Sequence, residues 1–185
     1  MVSADLVAAP VLSRPSRLRS VPGPTRLRLA DLLHITDRTA DDVLSGRYDQ
    51  VVPAGGVPTD DRWFARLHGD DEVDVWLISW MPGHRTELHD HGGSLDEFRW
   101  DGEHLRCRRL EAGDQAGFPL GWVHDVVWAP TGPPAPAASV SGTPGPSLSV
   151  HAYSPPLTVM SYYEVTSQHR LRRQRTELTD QPENL

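Results

Sequence analysis

The sequence predicts a mainly β domain, a barrel or sandwich, behind a short α-helical lead-in. Short runs rich in β-branched and aromatic residues recur along the chain and are separated by turns. The 185 residues include 17 Pro and 15 Gly, more than a helical bundle accommodates. Helical spacing is confined to the front of the domain. One domain with a single core is expected for this length.

Residues 1–24 carry four prolines and little periodicity, and are expected to be a flexible extension. A single domain is expected over residues 25–170. Leu27, Leu29, Leu32, Leu33 and Ile35 follow a rough helical spacing, and a second short helix is expected from Thr39, as its cap, to Gly46. Strands are expected at Val73–Trp80, at Thr86–His91, at Val123–Trp128, at Leu148–Tyr153 and at Leu157–Val165. Phe98–Trp100 and Leu105–Leu110 read as a hairpin across Asp101-Gly102. Residues 129–146 are too rich in Pro and Gly to join a core and are expected to be a surface insert. Residues 171–185 read as a charged tail with helical character.

A net charge of -7 argues against nucleic acid as a partner, since phosphate binding needs a basic surface. The basic residues concentrate near the ends, at Arg14, Arg17 and Arg19 and again at Arg170, Arg172, Arg173 and Arg175. Cys107 is the single cysteine, which excludes an intrachain disulfide and a cysteine-rich zinc site. No segment approaches the roughly 20 apolar residues of a membrane span, and no signal-peptide run opens the chain. A cytoplasmic monomer without membrane or nucleic-acid partners is expected.

The chemistry concentrates in Leu88-His89-Asp90-His91-Gly92-Gly93. Residues two apart in a strand share a face, so His89 and His91 project together as half of a metal site. His124, at the start of another strand, is the expected third ligand. Three neutral imidazoles suit Fe(II), Zn, Cu or Ni. The same period places Ser149, His151 and Tyr153 on one strand face, where they can form a hydrogen-bonded relay ending in a phenol. Residues in line along one strand do not converge on one oxygen, which argues against a nucleophilic triad.

These residues resemble the cysteine dioxygenase family of thiol dioxygenases, within the cupin superfamily. The resemblance runs from about Arg62 to Tyr163. It is carried by Trp80-x-Pro82-Gly83, His89-Asp90-His91-Gly92-Gly93-Ser94, His124-Asp125-Val126-Val127 and Ser149-x-His151-x-Tyr153-Ser154-Pro155-Pro156-Leu157.

It implies a cupin-type double-stranded β-helix barrel with a mononuclear Fe(II) on His89, His91 and His124. It further implies that a small thiol chelates the iron through thiolate and amine, and that both atoms of O₂ end on sulfur to give a sulfinic acid. Arg66 matches the family's carboxylate-binding arginine by position, with Arg62 one short turn away, and a guanidinium grips a carboxylate with two parallel bonds. Tyr153 matches the active-site tyrosine, backed by His151 and Ser149.

The expected activity is oxidation of L-cysteine to cysteine sulfinic acid. Oxidation of 3-mercaptopropionate, or a cupin module that binds metal without this turnover, are the alternatives. Asp96 stands where mammalian members carry a cysteine crosslinked to the tyrosine, and where many other cupins carry a metal-ligating carboxylate. A three-His-one-carboxylate site acting on a non-thiol substrate is therefore a further alternative.

Overall fold

The computed structural model describes residues 4–8, 27–92, 97–99, 106–119, 121–128 and 145–182. Ten strands and one helix make up this part of the chain, in two antiparallel sheets. The expected mainly β class, with its helix ahead of the main strands, is what the structure has.

The larger sheet runs β5(Glu97–Arg99), β10(Arg170–Leu178), β9(Val159–Val165), β4(Leu88–Asp90), β7(His124–Trp128), β1(Ala4–Ala8), β6(Arg106–Leu110). The smaller sheet runs β2(Phe64–Gly69), β3(Asp74–Trp80), β8(Ser147–Tyr153). Strand β3 is the centre of the fold: every residue from Asp74 to Trp80 is buried. Its aromatic and β-branched residues Trp76, Ile78 and Trp80 pack with Val126 of β7, so the two sheets share one apolar core.

Helix α1(Leu29–Leu44) replaces the two expected helices. Thr39 lies within it, buried, rather than capping a second helix. A threonine inside a helix can return its hydroxyl to the preceding turn, as Thr36 does by donating to the Leu33 carbonyl (3.0 Å). The N-terminus is instead fixed by Asp31, whose carboxylate accepts from the Arg28 amide and pairs with the Arg28 guanidinium. The helix ends at Ser45, and Gly46 follows with φ +83°.

Three other expectations change. Among the described residues the two arms of the expected hairpin lie apart: β5 pairs with β10 and β6 pairs with β1, at opposite edges of the sheet, while residues 100–105 lie outside the described residues. Ala4–Ala8, expected within a flexible extension, forms a strand between β6 and β7. The charged tail is likewise a strand rather than a helix. In β10 Leu171 lies between exposed Arg170 and Arg172 and is fully buried against Val123 and Tyr163. Period-2 alternation hidden in a basic run carries no obvious hydrophobic signal. Asp96 and residues 129–144 of the expected insert lie outside the described residues. No helix among the described residues is long and apolar enough to cross a membrane.

Because Leu171 is enclosed, Leu171→Ala should cost about 2–5 kcal/mol of stability in urea unfolding, as buried leucines do. A loose tail predicts no change.

Candidate metal centre

Strand β4 and its pairing with β7 build the site. His89 and His124 stand opposite one another in register, and His91 follows directly after β4 on the face that His89 occupies. The ring centroids lie 4.5 Å apart for His89 and His124, 5.0 Å for His89 and His91, and 5.1 Å for His91 and His124. One ligand nitrogen from each ring lies within 4.8 Å of the others. Thr86 ties this arrangement together: its amide donates to the Val126 carbonyl and its hydroxyl accepts from the Val126 amide, both at 2.9 Å.

All three imidazoles are held neutral, the form that offers a lone pair. Burial drives the His89 pKa down to about 4, with the Arg62 charge adding to it. Burial also drives His124 down to about 3, with His89 adding. His91 is pushed well below the usual histidine range by burial and by its histidine neighbours.

Two of the tautomers are set by the backbone. His89 Nδ1 donates to the Glu87 carbonyl at 2.7 Å, and His124 Nδ1 faces the Trp122 carbonyl at 3.5 Å, which leaves Nε2 of each ring for a ligand bond. His91 Nδ1 is buried with no hydrogen-bond partner among the described residues, so the described protein leaves its tautomer to whatever the ring binds. Neutral, clustered and preset in this way, the donor set fits a single first-row transition metal ion.

Asp90 turns to the opposite face of β4. One carboxylate oxygen accepts from the Tyr163 hydroxyl (2.6 Å), the other from the Gly92 amide (2.7 Å), and the residue is fully buried. It thus fixes both the strand and the tight turn at Gly92, where φ is +98°. On the histidine face, Arg175 of β10 bridges bidentately to Glu87 and lies 3.7 Å above the Tyr162 ring. The residue whose carbonyl orients His89 is therefore itself held by β10.

Two members of the expected row, Ser149 and His151, are joined by a hydrogen bond on β8. Trp80 Nε1 donates to Ser149 Oγ (2.8 Å), and Ser149 Oγ lies 2.8 Å from His151 Nε2. Ser149 Oγ thus accepts from the indole and shares a second hydrogen bond with His151. His151 is held at about 3 by burial and then by the Arg62 charge, and is neutral. The Tyr153 ring lies 6.3 Å from His151 and 4.7 Å from His91, so the row ends against the histidine cluster.

Arg66 is not brought to this cavity. It pairs with the buried carboxylate of Asp74 and lies over the Trp76 ring. Arg62 lines the cavity instead, alongside the three histidines, His151, Tyr153 and Met160. Its guanidinium sits 4.4 Å over the Trp80 ring. The reciprocal bonds between Trp63 and Ser79, at 2.8 Å each, pin the segment that carries it. The sequence brackets both arginines; the deciding signal is Asp74, a charged residue in an otherwise apolar strand that requires a partner of its own.

A scan against protein-family models finds no match to this chain, and a search of curated proteins finds none.

These histidines titrate near 6.5 when unfolded and far lower when folded, so below pH 6.5 the unfolded chain binds more protons. The metal-free protein should therefore lose stability as pH falls from about 6.5 toward 4, by on the order of 1 kcal/mol per pH unit for each such histidine. Thermal unfolding at pH 7.5, 6 and 5 checks this. An unchanged midpoint across the series contradicts the neutral assignment.

Proposed function

We propose that this chain is a non-haem Fe(II)-dependent thiol dioxygenase of the cupin type that converts L-cysteine to cysteine sulfinic acid. The observation that carries the proposal is the meeting, in one cavity, of three neutral imidazoles, one guanidinium and the Tyr153 phenol, beside the hydrogen-bonded Trp80–Ser149–His151 row. A ferrous ion on His89, His91 and His124 would supply the redox chemistry that joins O₂ to a thiol sulfur. The sum R–SH + O₂ → R–SO₂H balances without a further reductant.

The chain's own residues then have separable tasks. Arg62 offers the cation for the substrate carboxylate, the role first expected of Arg66. Its stacking on Trp80 restrains the guanidinium in a place where it also disfavours protonation of His89 and His151. Tyr153 holds a phenolic proton at the edge of the histidine cluster, where it can donate to a group bound there. Ser149 and His151, anchored through Trp80, orient that end of β8 and stay uncharged. Buried, preset donors of this sort act without reorganisation during a reaction.

Oxidation of 3-mercaptopropionate is the second candidate reaction. Arg62 is the one cation among the described residues that line the cavity, and it serves a carboxylate common to both thiols.

Oxygen uptake by the iron-loaded protein on adding each thiol is the test. Uptake that matches sulfinate formation supports the proposal; no thiol-dependent uptake rejects it in favour of a metal-binding module. Loss of a charge-assisted carboxylate contact is worth roughly 1.5–3 kcal/mol, so Arg62→Met should raise KM for cysteine by ~10-fold or more at unchanged iron content. Arg66→Met should leave KM near the wild-type value, and the reverse pattern returns the carboxylate site to Arg66.

A further inference from the structure

Beside the metal cavity lies a second, larger space. The metal cavity is the smaller, at about 20 Å³, whereas its neighbour is a half-open pocket of about 370 Å³. Small-molecule sites span roughly 300–1,000 Å³ and are mainly apolar. Leu29 and Leu32 of α1, Phe118, Trp122 and Leu157 line the larger chamber, and no charged side chain does so among the described residues.

The chamber is built rather than incidental. Helix α1 forms one wall and is held in place from two directions. Gln115 Nε2 donates to the Leu33 carbonyl (2.7 Å) and Thr36 Oγ1 (3.0 Å), and the Leu27 amide donates to Ser154 Oγ (3.3 Å). Gly117 sits so close to the helix that a Cβ there would fall 2.6 Å from Leu29 Cδ1.

The opposite wall is the metal site itself. His91 and Tyr153 line both spaces. Phe118 stacks on His124 with centroids 4.5 Å apart and an interplanar angle of 2°, while Tyr153 packs on His91 at 4.7 Å. An occupant of the chamber would therefore press on rings that hold two of the three candidate ligands.

We propose that this chamber binds an uncharged aromatic or branched aliphatic group, and that its occupancy is felt at the histidine cluster. Binding in the chamber stands without the proposed reaction; only its effect on a bound ion rests on the metal site. The group is either a free apolar molecule or the apolar substituent of a thiol whose sulfur reaches the cluster past Tyr153.

Fluorobenzene, followed by ¹⁹F NMR, is the direct probe, because its binding needs neither iron nor turnover. Saturable binding is expected for the wild type and its loss for Leu32→Trp and for Ala152→Phe, which fill the chamber from the helix and from β8. Two variants guard against one that fails to fold, and both should retain one Co(II) per chain. The visible spectrum of the Co(II) protein should shift on saturation with fluorobenzene. If the substituent of a thiol is the occupant, iron-loaded protein consumes O₂ with phenylmethanethiol and fluorobenzene competes; if a free molecule is, fluorobenzene binds and phenylmethanethiol is not oxidised. No saturable binding by the wild type, or wild-type binding by folded filled variants, overturns the site. An unmoved Co(II) spectrum at saturation overturns the coupling.

Discussion

Alternation along β4 is the constraint from which the candidate site follows. Side chains two apart share a face, so the His89–Asp90–His91 run sends two imidazoles into the core and one carboxylate to the other side of the sheet. A one-residue slip would exchange them and place a charge among the histidines. That slip is opposed twice: by the pairing of His89 with His124 across β4 and β7, and by Asp90, whose two carboxylate oxygens are taken by Tyr163 and by the Gly92 amide. The aspartate between the histidines is thus a register device.

Burial does the electrostatic part of the work. Imidazoles in this environment resist protonation, as the depressed values of His89, His124 and His151 record. A cluster of cations in the core would repel itself and bind no metal. The same burial carries a cost, because neutral rings still need hydrogen-bond partners; backbone carbonyls of Glu87 and Trp122 serve His89 and His124, and Ser149 serves His151. Strand β10 adds support from outside, with Arg175 gripping Glu87 across the face of Tyr162. Its ion pair is partly exposed, so its worth lies in fixing a neighbour's position more than in net stability.

The sequence conveys some of this well and some not at all. His89 with His91, and Ser149 with His151 and Tyr153, are legible because strand period places each set on one face; His124 joins from β7 by a long-range pairing that the period does not supply. Long-range pairing is not legible: nothing local separates β5 from β6, which the turn residues between them suggest are neighbours. Strand β10 escapes notice because its one fully buried residue, Leu171, sits among arginines, whose partners lie just before β4 at Glu87 and on β9 at Tyr163. Arg66 and Arg62 are equivalent by composition and close in the chain. Only the three-dimensional position of Asp74 shows that Arg66 is held there, away from the cavity that Arg62 lines.

The smaller sheet contributes the remaining half of the cavity, with Trp80 serving both as a platform for Arg62 and as a donor to Ser149. Its rigid placement in β3 means that guanidinium, hydroxyl and imidazole are positioned by one buried strand. All of it has functional meaning only if an ion is bound by the three imidazoles. Anomalous diffraction at the iron edge, from crystals of iron-loaded protein, tests that claim most directly. A single peak within bonding distance of ring nitrogens of His89, His91 and His124, with no protein carboxylate bound to it, is the result predicted here. A peak elsewhere, or one shared with the carboxylate of Asp96, would contradict it.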